Sequence, residues 1–290
     1  MMKILRRLMT DSSRCSDRLS GVLVILLLML FTLPAKAERE AWSLPLYQER
    51  VSAGSVMIGG AFARDTYLSE SGYSGTAFGF EADIWTGYSP DRLFKYGRTH
   101  SSLHFSPMKN RVGGGSTLEL TGTFHTSMLW PAVNTQVCDL LLGPSFMFEL
   151  GALYNRQNSN NPATAEGYMG AGLCVDNTLH FRLFRKDMAF QATLHMPLAG
   201  VGVAPDYDQP YWYIYRYDEY EKALHFITPF NDLALMQQVA LVVPFRGARV
   251  RLGYTFDYTG NRLGGHYRSI GSNFFTIGCV MRYQKKDWSR

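Results

Sequence analysis

Once its first 37 residues are set aside, this chain lacks any uninterrupted apolar run, any cysteine pattern and any surplus of charge. Each absence removes a class of protein. The longest apolar stretch, "GVLVILLLMLFTL", spans residues 21–33. It is shorter than the roughly 20 residues that a membrane-spanning helix requires. It follows a basic stretch (Lys3, Arg6, Arg7, Arg14, Arg18) and precedes "PAKA", whose Ala35-Lys36-Ala37 carries the small residues signal peptidase needs. Residues 1–37 therefore read as a signal peptide cleaved after Ala37, with translation starting at Met1 or at Met9. No cysteine follows the apolar run, which argues against a lipoprotein anchor.

The leader holds six of the 29 Lys/Arg and two of the 24 Asp/Glu. The exported chain is then nearly neutral, and its basic isoelectric point gives no reason to expect nucleic acid. Three cysteines remain, Cys138, Cys174 and Cys279. An odd, irregularly spaced set is neither a disulfide framework nor a zinc pattern, although a Cys138–Cys174 bridge is left open. No metal and no cofactor is expected.

What is present is alternation. "ARVRLGYTFDY" (248–258) sets Val250, Leu252, Tyr254 and Phe256 against Arg249, Arg251, Thr255 and Asp257. A period of two marks an extended strand with one apolar and one polar face. The same alternation runs through "TAFGFEADIWTGY" with Glu81 and Asp83 on the polar side, and through "STLELTGTFHT" with Glu119 and His125. It continues in "CDLLLGPSFMFELGALY" with Asp139 and Glu149, and in "MGAGLCVDNTLHFRLF" with Asp176, His180 and Arg182. "MAFQATLHMPL" places His195 there, and "FFTIGCVMRY" places Arg282. The phase of "SVMIGGAFAR", "HSSLHFS" and "LALMQQVALVVPF" is less clear. Together these make about ten strands, each near the 9–11 residues a tilted barrel strand needs. The segment 204–231 has room for a further hairpin, which would make twelve.

A soluble barrel would turn the apolar faces inward; a membrane barrel turns them out. Broad aromatic and aliphatic faces on nearly every strand, tyrosines near strand ends and a charged fraction of only 18% favour the second. The expected fold is an all-β, antiparallel up-and-down transmembrane β-barrel over residues 53–284. A short periplasmic segment (38–52) precedes it and a tail (285–290) follows. Short links at 89–97, 129–136, 185–187 and 245–247 alternate with longer ones at 65–75, 107–115, 155–166, 204–231 and 259–271, as periplasmic turns and external loops should. The implied location is the outer membrane of a Gram-negative bacterium. The implied partners are outer-membrane lipid, lipopolysaccharide and the barrel assembly machinery.

The stretches "RDTYLSESGYSG" (64–75), "KNRVGGG" (109–115), "YNRQNSNNPATAEGYM" (154–169), "APDYDQPYWYIY" (204–215) and "GNRLGGHYRSIGSNFFTIG" (260–278) carry a further signal. Through them the chain resembles an uncharacterised outer-membrane β-barrel family of Bacteroidetes, a domain of unknown function. The resemblance implies fold, compartment and lineage. It implies no activity.

Three candidate sites follow. The polar faces gather Glu81, Asp83, Glu119, Asp139, Glu149, Arg182, Arg249, Arg251, Asp257 and Arg282 into a lumen too narrow for a porin channel, where acids and arginines should pair. His100, His104, His125, His180 and His195 join them on separate strands, without ligand spacing. In "HSSLHFS" two His-x-Ser pairs, His100 with Ser102 and His104 with Ser106, suit a lipid-ester hydrolase in which histidine activates serine. Leu103 and Phe105 nevertheless assign both pairs to the lumen. The Tyr-rich segment with Tyr207, Tyr211, Trp212, Tyr213 and Tyr215 suits either a membrane-rim girdle or a surface for a glycan or peptide. Its alternation also reads as strands rising above the membrane.

Overall fold

The computed structural model describes residues 42–110, 114–155, 162–206, 211–218 and 220–284. Its elements are β1 (Glu49–Asp65), β2 (Ser69–Gly87), β3 (Tyr96–Lys109), β4 (Ser116–Asn134), β5 (Cys138–Asn155), β6 (Ala163–Leu183) and β7 (Lys186–Val203). A short helix α1 (Tyr211–Tyr217), a 3-10 turn (Tyr220–Ala223) and a four-residue strand β8 (Leu224–Ile227) come next. The chain finishes with β9 (Asp232–Phe245), β10 (Ala248–Asn261) and β11 (Arg268–Gln284). Every long strand pairs antiparallel with its sequence neighbour, and β7 passes over β8 to pair with β9. β11 returns to pair with β1 from Glu49↔Gln284 to Asp65↔Arg268. The result is a closed barrel of ten strands, whose shortest seam, β7 with β9, runs from Ala189↔Val242 to His195↔Met236.

The side chains answer the question of which face is inside. Phe80 is 67% exposed and Phe275 70%, whereas Asp83 and His100 are wholly buried. Val56, Ile58, Phe78, Leu103, Phe105, Leu120, Phe148, Leu150, Leu173, Leu252 and Ile277 share the outer surface. Apolar groups coat the cylinder and charged groups fill it, the inverse of a soluble fold. Among the described residues no helix is long and apolar enough to cross a membrane, so any crossing falls to the strands.

Three expectations need correction. The wall strands run from 14 to 21 residues rather than 9–11. At about 3.3 Å per residue and a tilt near 45° they extend roughly 35–50 Å along the axis, well beyond a 25 Å apolar band. The loop expected at 65–75 is a three-residue turn, 66–68. Asp65 closes it by accepting the amide of Tyr67 on Oδ1 (2.9 Å) and that of Leu68 on its carbonyl (3.1 Å). This frees the polar run from Ser69 to Ser74 to pair with β1. The length contrast between the two ends is accordingly weaker than expected. Finally, the Tyr-rich segment is not a strand pair. Residues 211–217 form α1, in which Tyr213 and Tyr217, one turn apart, bring their rings to 4.4 Å. The short β8 merely extends the distal end of β7 at Gly200–Val203, so no additional hairpin forms.

We call the end of the barrel holding Glu49 and Gln284 the terminal end and the opposite one the distal end. Residues preceding β1 cross the terminal mouth. Trp42 lies edge-on to Trp85 (4.7 Å, 76°), and Leu44 packs with Leu129, Leu141 and Cys174. Arg282 fastens this segment by donating to Ser43 and to Glu49 Oε2 (2.7 Å).

Candidate functional site

The interior is organised in two charged tiers, each supplied by inward positions two residues apart. Below the midpoint, three carboxylates and two arginines from β2, β3, β6 and β10 meet across the barrel. Arg98 reaches Asp83 (2.8 Å) and Asp176 (3.1 Å), and Arg251 reaches Glu81 (3.1 Å) and Asp83 (3.0 Å). Gln238 ties the two halves together. Its carbonyl accepts from Arg98 (2.6 Å) and its amide donates to Glu81 (3.1 Å), which also accepts from Thr255 (2.9 Å). Trp85 donates Nε1 to Asp176 (3.2 Å) while the Arg98 guanidinium lies 5.0 Å from its ring centre. All five charged side chains are at most 4% exposed. Burying them is tolerable because nearly every charge meets an opposite one in good geometry.

Beside this network sit His100, His125 and His195. The rings of His125 and His195 meet edge-on at 4.8 Å, and His195 Nε2 lies 3.8 Å from the Cys174 thiol. Both ring nitrogens of His125 lack hydrogen-bond partners. Among the described residues no three His, Cys, Asp or Glu groups converge as metal ligands would. Cys138, Cys174 and Cys279 are all free, so the Cys138–Cys174 bridge left open by the sequence is not formed. Cys279 lies on the outer face.

The distal tier is different in character. Asp65, Glu149, Glu166 and Asp232 point inward around a single guanidinium, Arg268, which holds Glu166 at 2.8 Å, and Asp257 lies between Glu149 and the His104–Glu119 pair. Asn261 donates to Glu166 (3.3 Å), and His266 approaches it at 4.0 Å. Glu119, farther in, is engaged by His104 (2.9 Å) and Thr121 (2.9 Å). The distal end above is roofed by the 66–68 turn, whose Thr66 pairs with Tyr267, and by Tyr67 stacked 5.8 Å from His266.

The predicted residues distribute as follows. Glu81, Asp83 and Arg251 join one network; Asp139 is buried against His180 (2.9 Å) near the terminal end. Arg249 is half-buried toward the terminal mouth, and Arg282 clasps the N-terminal segment. Arg182 is a correction. The β6–β7 ladder continues unbroken to Leu183↔Lys186, but Arg182 lies at the terminal rim rather than inside the lumen, 42% exposed and bound to Asp187 (2.8 Å), next to the buried Phe181. The turn that follows is tight, with Phe184 and Arg185 both at positive φ (51° and 63°).

Neither His-x-Ser pair is joined. His100 Nδ1 contacts Asp83 (3.1 Å), Ser102 shares a hydrogen bond with Thr123 (2.7 Å), His104 binds Glu119, and Ser106 donates to the Thr76 carbonyl (3.1 Å). In the recognition segment, Tyr213 is exposed. Tyr207 and the side chains of Tyr211, Trp212 and Tyr215 lie outside the described residues. Sequence reasoning missed Arg98, Gln238, Trp85 and Arg268. Arg98 and Trp85 were within reach, being in phase with His100 and Asp83.

Residues 22–286 match the family described as "Protein of unknown function (DUF3316)". The chain belongs to that family. No curated protein matches this member. Solved structures similar to it include the outer membrane protease OmpT from Escherichia coli, at 8% identity and a TM-score of 0.48, covering 85% of this chain and 100% of that one. The transport unit of the autotransporter AIDA-I from Escherichia coli shows 6% identity and a TM-score of 0.37, covering 82% and 89%. The translocator domain of the autotransporter NalP from Neisseria meningitidis shows 8% and 0.33, covering 93% and 97%.

Proposed function

We propose that this family member is an outer-membrane β-barrel of a Gram-negative bacterium, of the Bacteroidetes lineage, exported with cleavage near Ala37. In this reading it serves by binding and by envelope structure rather than by passing solutes or hydrolysing lipid. The observation that carries the reading is the tier of Glu81, Asp83, Arg98, Asp176 and Arg251, which spans the lumen with buried, paired charges. The Trp42 segment adds a second closure at the terminal mouth. Lipid and lipopolysaccharide would contact the apolar exterior, and the barrel assembly machinery would insert it. The exposed Tyr213 and Tyr217 of α1 suit a glycan or peptide partner above the membrane.

Planar-bilayer recording on the refolded protein tests this directly. The expected trace is silent. Stable unitary conductance steps would overturn the sealed-barrel reading.

A further inference from the structure

Resting on that reading of a sealed binding barrel, we infer that the distal tier is a binding site for an elongated organic cation, a linear polyamine or guanidino-amine. The first ground is charge. Four carboxylates, Asp65, Glu149, Glu166 and Asp232, share one guanidinium, Arg268, and one imidazole, His266, while a fifth, Asp257 beside Glu149, faces the imidazoles of His104 and His100. An unmatched carboxylate away from water costs several kcal/mol, on the order of the penalty for a broken buried pair. The central tier, by contrast, sets two arginines against three acids.

The second ground is independent of charge. Asn261 is 3% exposed and its amide nitrogen is committed to Glu166, yet its Oδ1 accepts nothing. Oδ1 of Asp232, Oδ2 of Asp65 and Oδ1 of Asp257 are likewise buried acceptors without donors. The Tyr168 hydroxyl, on a side chain 8% exposed, also lacks a partner. Register places these groups together: Asp65 opposite Arg268, Arg268 opposite Asn261, Asn261 opposite Asp232, and Glu149 opposite Tyr168. Arg268 Nη1 and both ring nitrogens of His266 also make no hydrogen bond, so the tier's own donors do not reach these acceptors, and buried polar groups are rarely left so.

The third ground separates a molecule from an ion. No three carboxylates of the described residues converge closely enough for one metal ion. Their charge is instead spread over two levels, with Glu149 and Asp257 below Asp65, Asp232 and Glu166. Glu149 and Asp257 face inward and are partly buried. Met147, Ala234, Ile227 and Leu263 form an apolar wall alongside Tyr168, suited to methylene segments between charged nitrogens. Glycines make room for the tier's own side chains. A Cβ on Gly170 would lie 2.3 Å from the Tyr168 hydroxyl, and one on Gly151 would lie 3.2 Å from the Arg268 guanidinium.

The test uses the full exported chain refolded in detergent with and without spermidine, Mg²⁺ at matched ionic strength, or a neutral polyether of similar length. Thermal unfolding avoids the question of slow entry, because a ligand present during refolding stabilises the folded state by mass action. Spermidine alone should raise the midpoint, and equilibrium dialysis of labelled spermidine should saturate at one per barrel. Glu149→Gln and Asp232→Asn should each weaken that binding at least tenfold. Each should also leave the ligand-free barrel no less stable than the parent, since like-charge crowding is relieved. Glu70→Gln, at the exposed outer rim, should change nothing. Absence of saturable binding, equal stabilisation by Mg²⁺, or binding indifferent to both lumen substitutions would overturn the inference. A silent bilayer with no spermidine binding would defeat it alone, whereas conductance with spermidine binding would defeat only the sealed-barrel reading.

Discussion

Replacing Arg98 with Met removes one guanidinium from the centre of the barrel while keeping the volume of the side chain. The structure says which neighbour suffers. Asp83 would retain Arg251 at 3.0 Å and His100 at 3.1 Å. Asp176 would retain Trp85 Nε1 at 3.2 Å and Thr193 at 3.4 Å but no direct ion pair, with Arg251 acting on it only from farther off. Breaking a buried pair from one side costs about 3–5 kcal/mol, roughly a 10²- to 10⁴-fold loss in the folded-to-unfolded ratio. Neutralising the stranded partner should therefore help: Arg98→Met with Asp176→Asn should recover about half of that loss. Arg98→Met with Asp83→Asn should recover less, because the second change strips Arg251 of a counter-charge. Urea unfolding of the refolded protein, followed by tryptophan fluorescence and by heat-modifiable migration on gels, supplies the double-mutant cycle. A loss below about 1 kcal/mol for the single variant, or equal recovery in both doubles, would refute the pairing argument.

Other perturbations test separate parts of the molecule. Phe184→Asn with Arg185→Gly should stabilise the barrel by about 1–2 kcal/mol in the same unfolding assay, since both positions hold positive φ without a residue suited to it. Trp42→Ala should detach the segment across the terminal mouth, seen as new proteolysis near residues 42–48 while the barrel keeps its heat-modifiable migration. In lipid vesicles a membrane-soluble maleimide should label the exposed Cys279, a water-soluble one should not, and the buried Cys174 should resist both. Labelling of Cys279 by the water-soluble reagent would contradict the outward apolar surface.

The fold was legible because hydropathic contrast along most strands is strong. β10 alternates Arg251, Thr255 and Asp257 with Leu252, Tyr254 and Phe256, so its facing follows from the period alone. The contrast fails where small or apolar residues point inward. On β1 the buried set is Ala53, Ser55, Met57, Ala61 and Ala63, against Val56, Ile58 and Phe62 outside. On β9 adjacent Gln237 and Gln238 blur the phase, and this hid the glutamine that links Arg98 to Glu81. The site was less legible still. The Glu81–Arg251 contact joins residues 170 positions apart, and the distal tier gathers side chains from β1, β5, β6, β9, β10 and β11. Such meetings are set by closure and strand stagger, which no local pattern encodes. The run 65–75 was misassigned for a comparable reason: Asp65 makes its tight turn through its own side chain, while serine-rich composition suggested a loop.

The partnership of β1 with β11 has a consequence for biogenesis. The circuit is completed by the earliest and latest wall strands to emerge, zipped along the 17 residues of β1. Until the carboxyl-terminal strand docks, two unsatisfied ribbons face each other across a gap, each a template for a foreign strand. A chain cut short before residue 268 would lack β11 altogether and leave β1 and β10 as permanent open edges, so the whole wall depends on this one suture.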